Sequence, residues 1–291
     1  MNENTIYDIA FSFDESITPL EKTTLFSKYQ SSRKIMELGK STIKNILGRN
    51  WSGSRFNVEY FVSEAKKMSN FIDNANIRTL RYDDPAYPEG LKQIPDYPFL
   101  LYYKGDITFD YYRSISIVGT RAPCSNGIQA AEIYTKYLTD KGFTIVSGLA
   151  DGIDATAHRA CCDNKGKTIA VLGCGIDRIY PATNKNVARD MLANNGGIIS
   201  EYPPGYLPRK WYFPKRNRII VGLTRGVLIV QAPERSGSLI TAFLTTDYNR
   251  DLFALNPLED SDVYKGNAML INSGAIKVDS PDDILKEWGY Y

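Results

Sequence analysis

Hydrophobic positions along this chain change their spacing as the chain proceeds. Up to about residue 75 they recur at helical intervals: Ile35, Leu38, Ile43, Ile46 and Leu47 around Gly39, then Phe61, Val62, Ala65 and Met68 in a second stripe. No strand-like alternation interrupts them, so residues 1–75 are expected to form a small helical domain. Within it, Gly39-Lys40-Ser41-Thr42-Ile43 reads in two ways: a helix-turn-helix junction beside a phosphate backbone, or a plain helix start with Ser41 as N-cap. From Tyr82 to Pro98 the composition turns to Asp, Pro and Tyr, a connection whose aromatics need burial. After Arg113 short β-branched runs take over: Ile115 to Val118, Thr144 to Val146, Thr168 to Leu172, Gly197 to Ser200, Val227 to Val230 and Leu252 to Leu255. Helical stretches separate them, at Gly127 to Asp140, Ile153 to Cys162, Val187 to Ala193 and Leu239 to Tyr248. Runs apolar on both faces and parted by helices predict a parallel sheet covered on each side, a doubly wound α/β fold.

Ligands of such sheets bind beyond the carboxyl ends of the strands. The turns at those ends are uniform here: Gly119-Thr120-Arg121, Ser147-Gly148-Leu149, Gly173-Cys174-Gly175, Ser200-Glu201-Tyr202 and Glu234-Arg235-Ser236-Gly237-Ser238. Small residues let backbone approach a ligand, and helix starts favour anions, so these turns predict a phosphate-lined cleft. The first turn is not a dinucleotide fingerprint, because the next glycine is Gly127. Arg121 is placed to bind phosphate or to pair with a structural carboxylate; Ser236-Gly237-Ser238 is placed to hold an anion or simply to cap a helix.

Charge sharpens this picture. The whole chain carries a net charge of only +2, yet Arg209 to Arg218 reads Arg-Lys-Trp-Tyr-Phe-Pro-Lys-Arg-Asn-Arg. Cations that bind phosphate, interleaved with rings that stack on bases, suit a single-stranded nucleic-acid groove. The alternative is a solvated basic loop with its aromatics in the core. His158, the only histidine, lies one helical turn from Asp154, and a packing or hydrogen-bond role is expected of the pair. One histidine and no Cys-x-x-Cys spacing leave little material for a zinc site or a Ser-His-Asp triad, so no metal or cofactor is expected, carboxylate-only magnesium sites aside. Cys124, Cys161, Cys162 and Cys174 are expected as reduced thiols. An apolar fraction of 43%, the polar start Met1-Asn2-Glu3-Asn4 and apolar runs too short for a bilayer predict a cytoplasmic globular protein.

Taken in order, these segments resemble the DprA/Smf DNA-processing family. The resemblance rests on Tyr87-Pro88, Leu101-Tyr102-Tyr103-Lys104-Gly105, Ile117-Val118-Gly119-Thr120-Arg121, and Val146-Ser147-Gly148-Leu149-Ala150 with Gly152-Ile153-Asp154 and Ala157-His158. It continues through Ile169 to Gly175 with Tyr180-Pro181, Ser200 to Gly205, Phe213-Pro214 with Arg216 to Ile220, and Arg235 to Ala242, covering about Tyr82 to Leu255. It implies an extended Rossmann-like domain over residues 76–256 that binds single-stranded DNA without enzymatic activity. It further implies protection of incoming strands during natural transformation, loading of a RecA-type recombinase, and a homodimer formed near Leu239 to Tyr248. Residues 257–291 would be a tail packed on that domain, too short for the winged helix some members append.

By motif, Arg121 would hold a backbone phosphate, with Arg216, Asn217 and Arg218 in the same basic pocket. Some relatives carry a basic residue directly after Tyr-Pro; here that place is Ala182, and the nearest cation is Lys185. The residues expected to contact DNA or phosphate are therefore Gly119, Thr120, Arg121, Ser147, Gly148, Lys185, Lys210, Lys215, Arg216, Asn217, Arg218, Ser236, Gly237 and Ser238. Trp211, Tyr212 and Phe213 are the candidate stacking rings. A competing reading is a LOG-type nucleotide phosphoribohydrolase, whose Pro-Gly-Gly-x-Gly-Thr signature precedes a catalytic Glu. The corresponding stretch, Pro233 to Thr241, has no acid on the following turn, where glycosidic cleavage needs a carboxylate. A nucleotide-sensing module shares the cleft but needs a base pocket, for which no residues stand out.

Overall fold

The computed structural model describes residues 1–53, 56–259 and 261–290. Five helices come first: α1 (Glu3–Ser12), α2 (Pro19–Tyr29), α3 (Ser32–Glu37), α4 (Lys40–Leu47) and α5 (Val58–Asn74). Their starts are written in the sequence. Asn2, Ser31 and Asn57 each accept a backbone N–H of the first turn, and Thr18 with Glu21 forms a capping box. Gly39, not Ser41, is the N-cap of α4, and Ser41 sits inside the helix. The apolar faces bury Phe11, Leu25, Ile35, Ile43 and Ile72, and this core runs on through Phe99, Leu100 and Tyr102 into the sheet.

Strands and helices then alternate: β1 (Arg78–Arg81), α6 (Glu89–Lys92), β2 (Leu100–Gly105), β3 (Ser114–Val118), α7 (Ser125–Asp140), β4 (Thr144–Ser147), α8 (Ile153–Asp163), β5 (Thr168–Leu172), α9 (Lys185–Ala193) and β6 (Gly197–Ser200). Next come α10 (Tyr212–Gly222), β7 (Gly226–Ile229), α11 (Gly237–Asp247), β8 (Asp251–Leu255), α12 (Lys265–Asn272), β9 (Ile276–Val278) and α13 (Pro281–Glu287). Among the described residues the nine-stranded sheet has the order β1-β2-β6-β5-β4-β3-β7-β8-β9. It is parallel from β6 to β9, while β2 pairs antiparallel with both β1 and β6. Strands β3 to β7 are buried along their whole length, as runs apolar on both faces require.

After β3 the chain builds outward through β4, β5 and β6, then returns to place β7 on the other side of β3. Such a reversal leaves a crevice beyond the carboxyl ends of β3 and β7. The connection from Tyr82 to Pro98 is packed rather than loose: Tyr82 contacts the Phe26, Tyr97 and Phe99 rings, and buried Tyr87 donates its hydroxyl to the Pro98 carbonyl at 2.7 Å. Residues after β8 add a strand and two helices to the same sheet, with Trp288 stacked on Phe143.

Candidate nucleic-acid interface

The crevice is a trough of about 640 Å³, walled by the turn after β3, by α10, and by the turn into α11. Its first wall is fixed by backbone contact. The Thr120 N–H donates to the Gln231 carbonyl at 2.8 Å, and Gly152, with φ +77°, lies so close to the Thr120 and Arg121 backbone that a Cβ would stand 2.8 Å from the Arg121 carbonyl. Arg121 is thereby held at the mouth. Its guanidinium is exposed, lies 5.7 Å from the centre of the Phe213 ring, and pairs with no carboxylate among the described residues.

Helix α10 supplies the floor. Phe213, Arg216, Asn217 and Ile220 all face the trough, as the 3.6-residue period dictates for positions three, four and seven apart. Arg216 is 5% exposed; its Nη1 donates to the carbonyls of Gly148, at 2.7 Å, and Val171, and its Nε to Asn217 Oδ1 at 3.2 Å. Burial pushes its pKa down to about 10 against the upward pull of the Asp154 carboxylate, so it stays charged at neutral pH. Gly148 lies under the guanidinium plane: a Cβ there would be 2.5 Å from Nη2 and 2.7 Å from Cζ. Two acids come near, Asp154 in the trough and Asp151 in the recess below it; burial raises the Asp154 pKa, and Asp154 accepts the Gly148 N–H at 3.1 Å.

The third wall is the start of α11. Ser236 caps it, accepting the Ser238 N–H at 3.2 Å, with the two hydroxyls 2.6 Å apart, and Gly237 borders open space. Between Arg121, Gly148, Asp151, Tyr180, Phe213 and Arg216 the floor drops into a recess of about 70 Å³, where Asp151 Oδ1 accepts the Thr183 hydroxyl at 2.9 Å. That is room for a phosphate-sized group. Tyr180, 46% exposed, stands 5.6 Å from the Phe213 ring and separates the trough from a second hollow lined by Arg178, Lys185 and Leu207.

The expected residues thus divide. Gly119, Thr120, Arg121, Lys210, Arg216, Asn217, Ser236, Gly237 and Ser238 line the trough, and Gly148 lines its recess. Lys185 lies in the neighbouring hollow. Three placements need correction. The Ser147 hydroxyl is fully buried and donates to the Ile117 carbonyl at 2.7 Å, inside the sheet. Lys215 and Arg218 project from the opposite face of α10. There Arg218, 4% exposed, binds both Glu201 oxygens at 2.6 and 2.7 Å and has Asp96 at 3.4 Å, while Lys215 stands 3.8 Å from Glu201. The cause is helical phase: the basic decapeptide is mostly helix, so its cations cannot share one pocket.

The aromatics divide the same way. Phe213 lines the trough and Trp211 is 60% exposed beside the Arg209 guanidinium, whereas Tyr212 is buried, stacked 4.0 Å from Tyr202, with its hydroxyl donating to Glu15. Sequence reasoning passed over Arg235 and Tyr180 as contacts, although both line the trough. The signal for Arg235 was present, a cation immediately before Ser236-Gly237-Ser238. His158 is fully buried with Nδ1 2.7 Å from Thr168 Oγ1; burial, then the Arg216 and Arg159 charges, pushes its pKa down to about 3. The four cysteines are free thiols. Among the described residues no cluster of His, Cys, Asp or Glu could hold a metal ion, and no helix is long and apolar enough to cross a membrane.

Comparison with known proteins agrees with this geometry. The family model for DNA recombination-mediator protein A matches residues 78–289. DNA processing protein DprA of Bacillus subtilis is 42% identical over 232 residues, which span 79% of this chain and 77% of that protein. Protein Smf of Synechocystis is 44% identical over 220 residues, 74% of this chain, and the match spans about half of its length, 54%. The X-ray structure of DprA from Streptococcus pneumoniae superposes with a TM-score of 0.79 at 34% identity, covering 99% of this chain and 98% of that one. DNA processing protein A from Helicobacter pylori, whose structure was described for its single-stranded DNA binding mode, gives 0.65 at 31% identity over 72% of this chain and 94% of its own. With the fold, the glycine-edged trough and these matches in agreement, the chain belongs to the DNA recombination-mediator protein A family, that of the DprA and Smf DNA-processing proteins.

Proposed function

We propose that this chain binds single-stranded DNA in the trough, shields it, and passes it to a RecA-type recombinase in the cytoplasm. One observation carries the reading: Arg121, Lys210, Arg216 and Arg235 face a single cavity that also holds the Phe213 and Tyr180 rings, with one buried acid among them. The cations supply sequence-independent grip on phosphates, and the rings supply stacking surfaces that only unpaired bases can reach. The DNA-binding structure of the Helicobacter relative supports the same ligand class. A homodimer is part of the proposal. Helix α11, whose start walls the trough, exposes Ile240 and Phe243 at 43% and 56%, and such apolar exposure suits a surface that another copy covers.

The test is binding of labelled oligothymidylate and of a duplex of equal length, followed by fluorescence anisotropy. Tighter binding of the single strand, weakened in Arg121→Ala whatever the sequence used, is the expected result. Equal affinity for both forms, or an unaffected Arg121→Ala, would remove the proposed site. Hydrolysis of a nucleoside monophosphate has two candidate carboxylates, Asp154 in the trough, engaged by the Gly148 N–H, and Asp151 in the recess, whose Oδ1 accepts the Thr183 hydroxyl at 2.9 Å. Incubation with AMP is expected to release no adenine.

A further inference from the structure

The segment that leads into α10 carries a second patch, outside the trough. Residues 205–211, Gly-Tyr-Leu-Pro-Arg-Lys-Trp, hold two cations and no acid. The indole of Trp211 is 60% exposed, whereas the other two tryptophans, Trp51 and Trp288, are 3% and 8% exposed. Its position is fixed by neighbours. The Arg209 guanidinium lies 5.5 Å from the centre of the indole and 5.7 Å from that of the Tyr212 ring. Tyr212 stands edge-on to the indole at 6.0 Å and is itself buried against Tyr202. An exposed ring already held in place gives up little freedom when something stacks on it.

This patch is continuous with the trough. Lys210, between Arg209 and Trp211, lines the trough, and Phe213, two residues beyond Trp211, is one of its rings. Two acids border the segment: Glu15 accepts the Tyr212 hydroxyl and Asp177 the Gly205 N–H, each at 2.9 Å, and among the described residues neither forms an ion pair with Arg209 or Lys210. We propose that a single strand leaving the trough passes Lys210 and stacks its next base on Trp211, so that the bound stretch extends over the start of α10. The proposal rests on the trough being a single-strand site and adds a residue to it. A ring with a guanidinium beside it is a platform that tolerates any base, because every base has a π-face. An exposed indole also suits a protein partner, but the unpaired cations that join this one to the trough favour a polyanion.

Trp211 supplies its own signal: it is the exposed one of three tryptophans, so iodide should quench chiefly its emission. With the full chain, oligothymidylate of about 16 nucleotides should change that emission and shield it from iodide, and Trp211→Phe should remove the response. Trp211→Ala should weaken binding of the same strand roughly 5- to 150-fold, and Trp211→Phe, which keeps a stacking face, should lose less. Both variants alter an exposed side chain, so their thermal midpoints should stay close to that of the unaltered protein. A thymidine dinucleotide, which the trough alone can hold, should bind Trp211→Ala as it binds the unaltered protein. Full affinity of Trp211→Ala for the long strand, or emission left unshielded by the bound strand, would overturn the proposal. If Arg121→Ala still weakened binding, the trough would stand and Trp211 would be left to a protein partner. Shielding of Trp211 by the dinucleotide would also overturn it, because the ring would then belong to the trough's own site. An unaffected Arg121→Ala would remove the trough itself, so the two readings fail on different measurements.

Discussion

The trough makes a quantitative statement about salt. Four cations face it, Arg121, Lys210, Arg216 and Arg235. If each neutralises one phosphate of a single strand, the affinity should fall with a log–log salt slope of about −2.8, at ~0.7 per contact. Raising salt from about 50 to about 200 mM then weakens binding roughly 50-fold. Arg121→Ala removes one contact, so its slope should be about −2.1 and its loss over the same interval roughly 20-fold. The substitution should leave stability within about 0.5 kcal/mol, because the side chain is exposed and without a carboxylate partner among the described residues. Lys215→Ala is the control: it removes one positive charge from α10 on the face away from the trough, and should keep the full slope. Anisotropy titrations of labelled oligothymidylate at four salt concentrations give all three numbers. An Arg121→Ala slope equal to that of the unaltered protein would refute the placing of Arg121 on bound phosphate, and a Lys215→Ala slope lowered as much would refute the assignment of faces on α10.

The same geometry bears on three other residues. Gly148→Ala places a Cβ 2.5 Å from Arg216 Nη2, so the guanidinium must leave its seat and oligonucleotide affinity should fall by about 1.5–3 kcal/mol, read in the same anisotropy assay. Arg218→Met leaves Glu201 buried with only the distant Lys215, and should cost about 3–5 kcal/mol by urea denaturation, most of it regained in the Arg218→Met, Glu201→Met double variant. His158 is the only histidine, and burial holds its pKa at about 3 instead of the ordinary 6.5, so protonation favours the unfolded chain. Its contribution is whole above about pH 6.5 and is lost as pH falls from there toward about 3, at about 1.4 kcal/mol per unit. Urea midpoints between about pH 6.5 and 5 should show that slope, and His158→Gln should abolish it.

Burial decides how much of this was legible in the sequence. Strands β3 to β8 are apolar runs because helices cover both faces of the sheet, and their β-branched segments stand out between helical stretches. Strands β1, β2 and β9 escaped: Arg78–Arg81 and Ile276–Val278 are short edge strands with polar positions, and Leu100–Gly105 runs into Lys104 and Gly105 toward solvent. The glycine rim was readable because backbone approach leaves a mark in residue type. The split of the basic segment was not. Pro214 and three adjacent aromatics hide a helix that in fact begins at Tyr212, where a proline in the first turn costs no hydrogen bond. Without that helix, Lys215 and Arg218 looked equivalent to Arg216.

That split also explains how a chain of net charge +2 can grip a polyanion. So small a charge generates little long-range steering, so discrimination must come from short-range fit. Arg216 lies at the bottom of a recess of about 70 Å³ whose other wall carries Arg121, and the Phe213 and Tyr180 rings stand at its rim. A phosphate that enters the recess brings its own base to the height of those rings. In a single strand that base is free to turn and stack. In a duplex it is paired and stacked inside, and reaching Phe213 would require breaking both interactions. The depth difference between the buried cation and the exposed Tyr180 and half-buried Phe213 rings is therefore what should favour single strands, and filling the recess from below, as Gly148→Ala does by displacing Arg216, should weaken single-strand binding more than duplex binding.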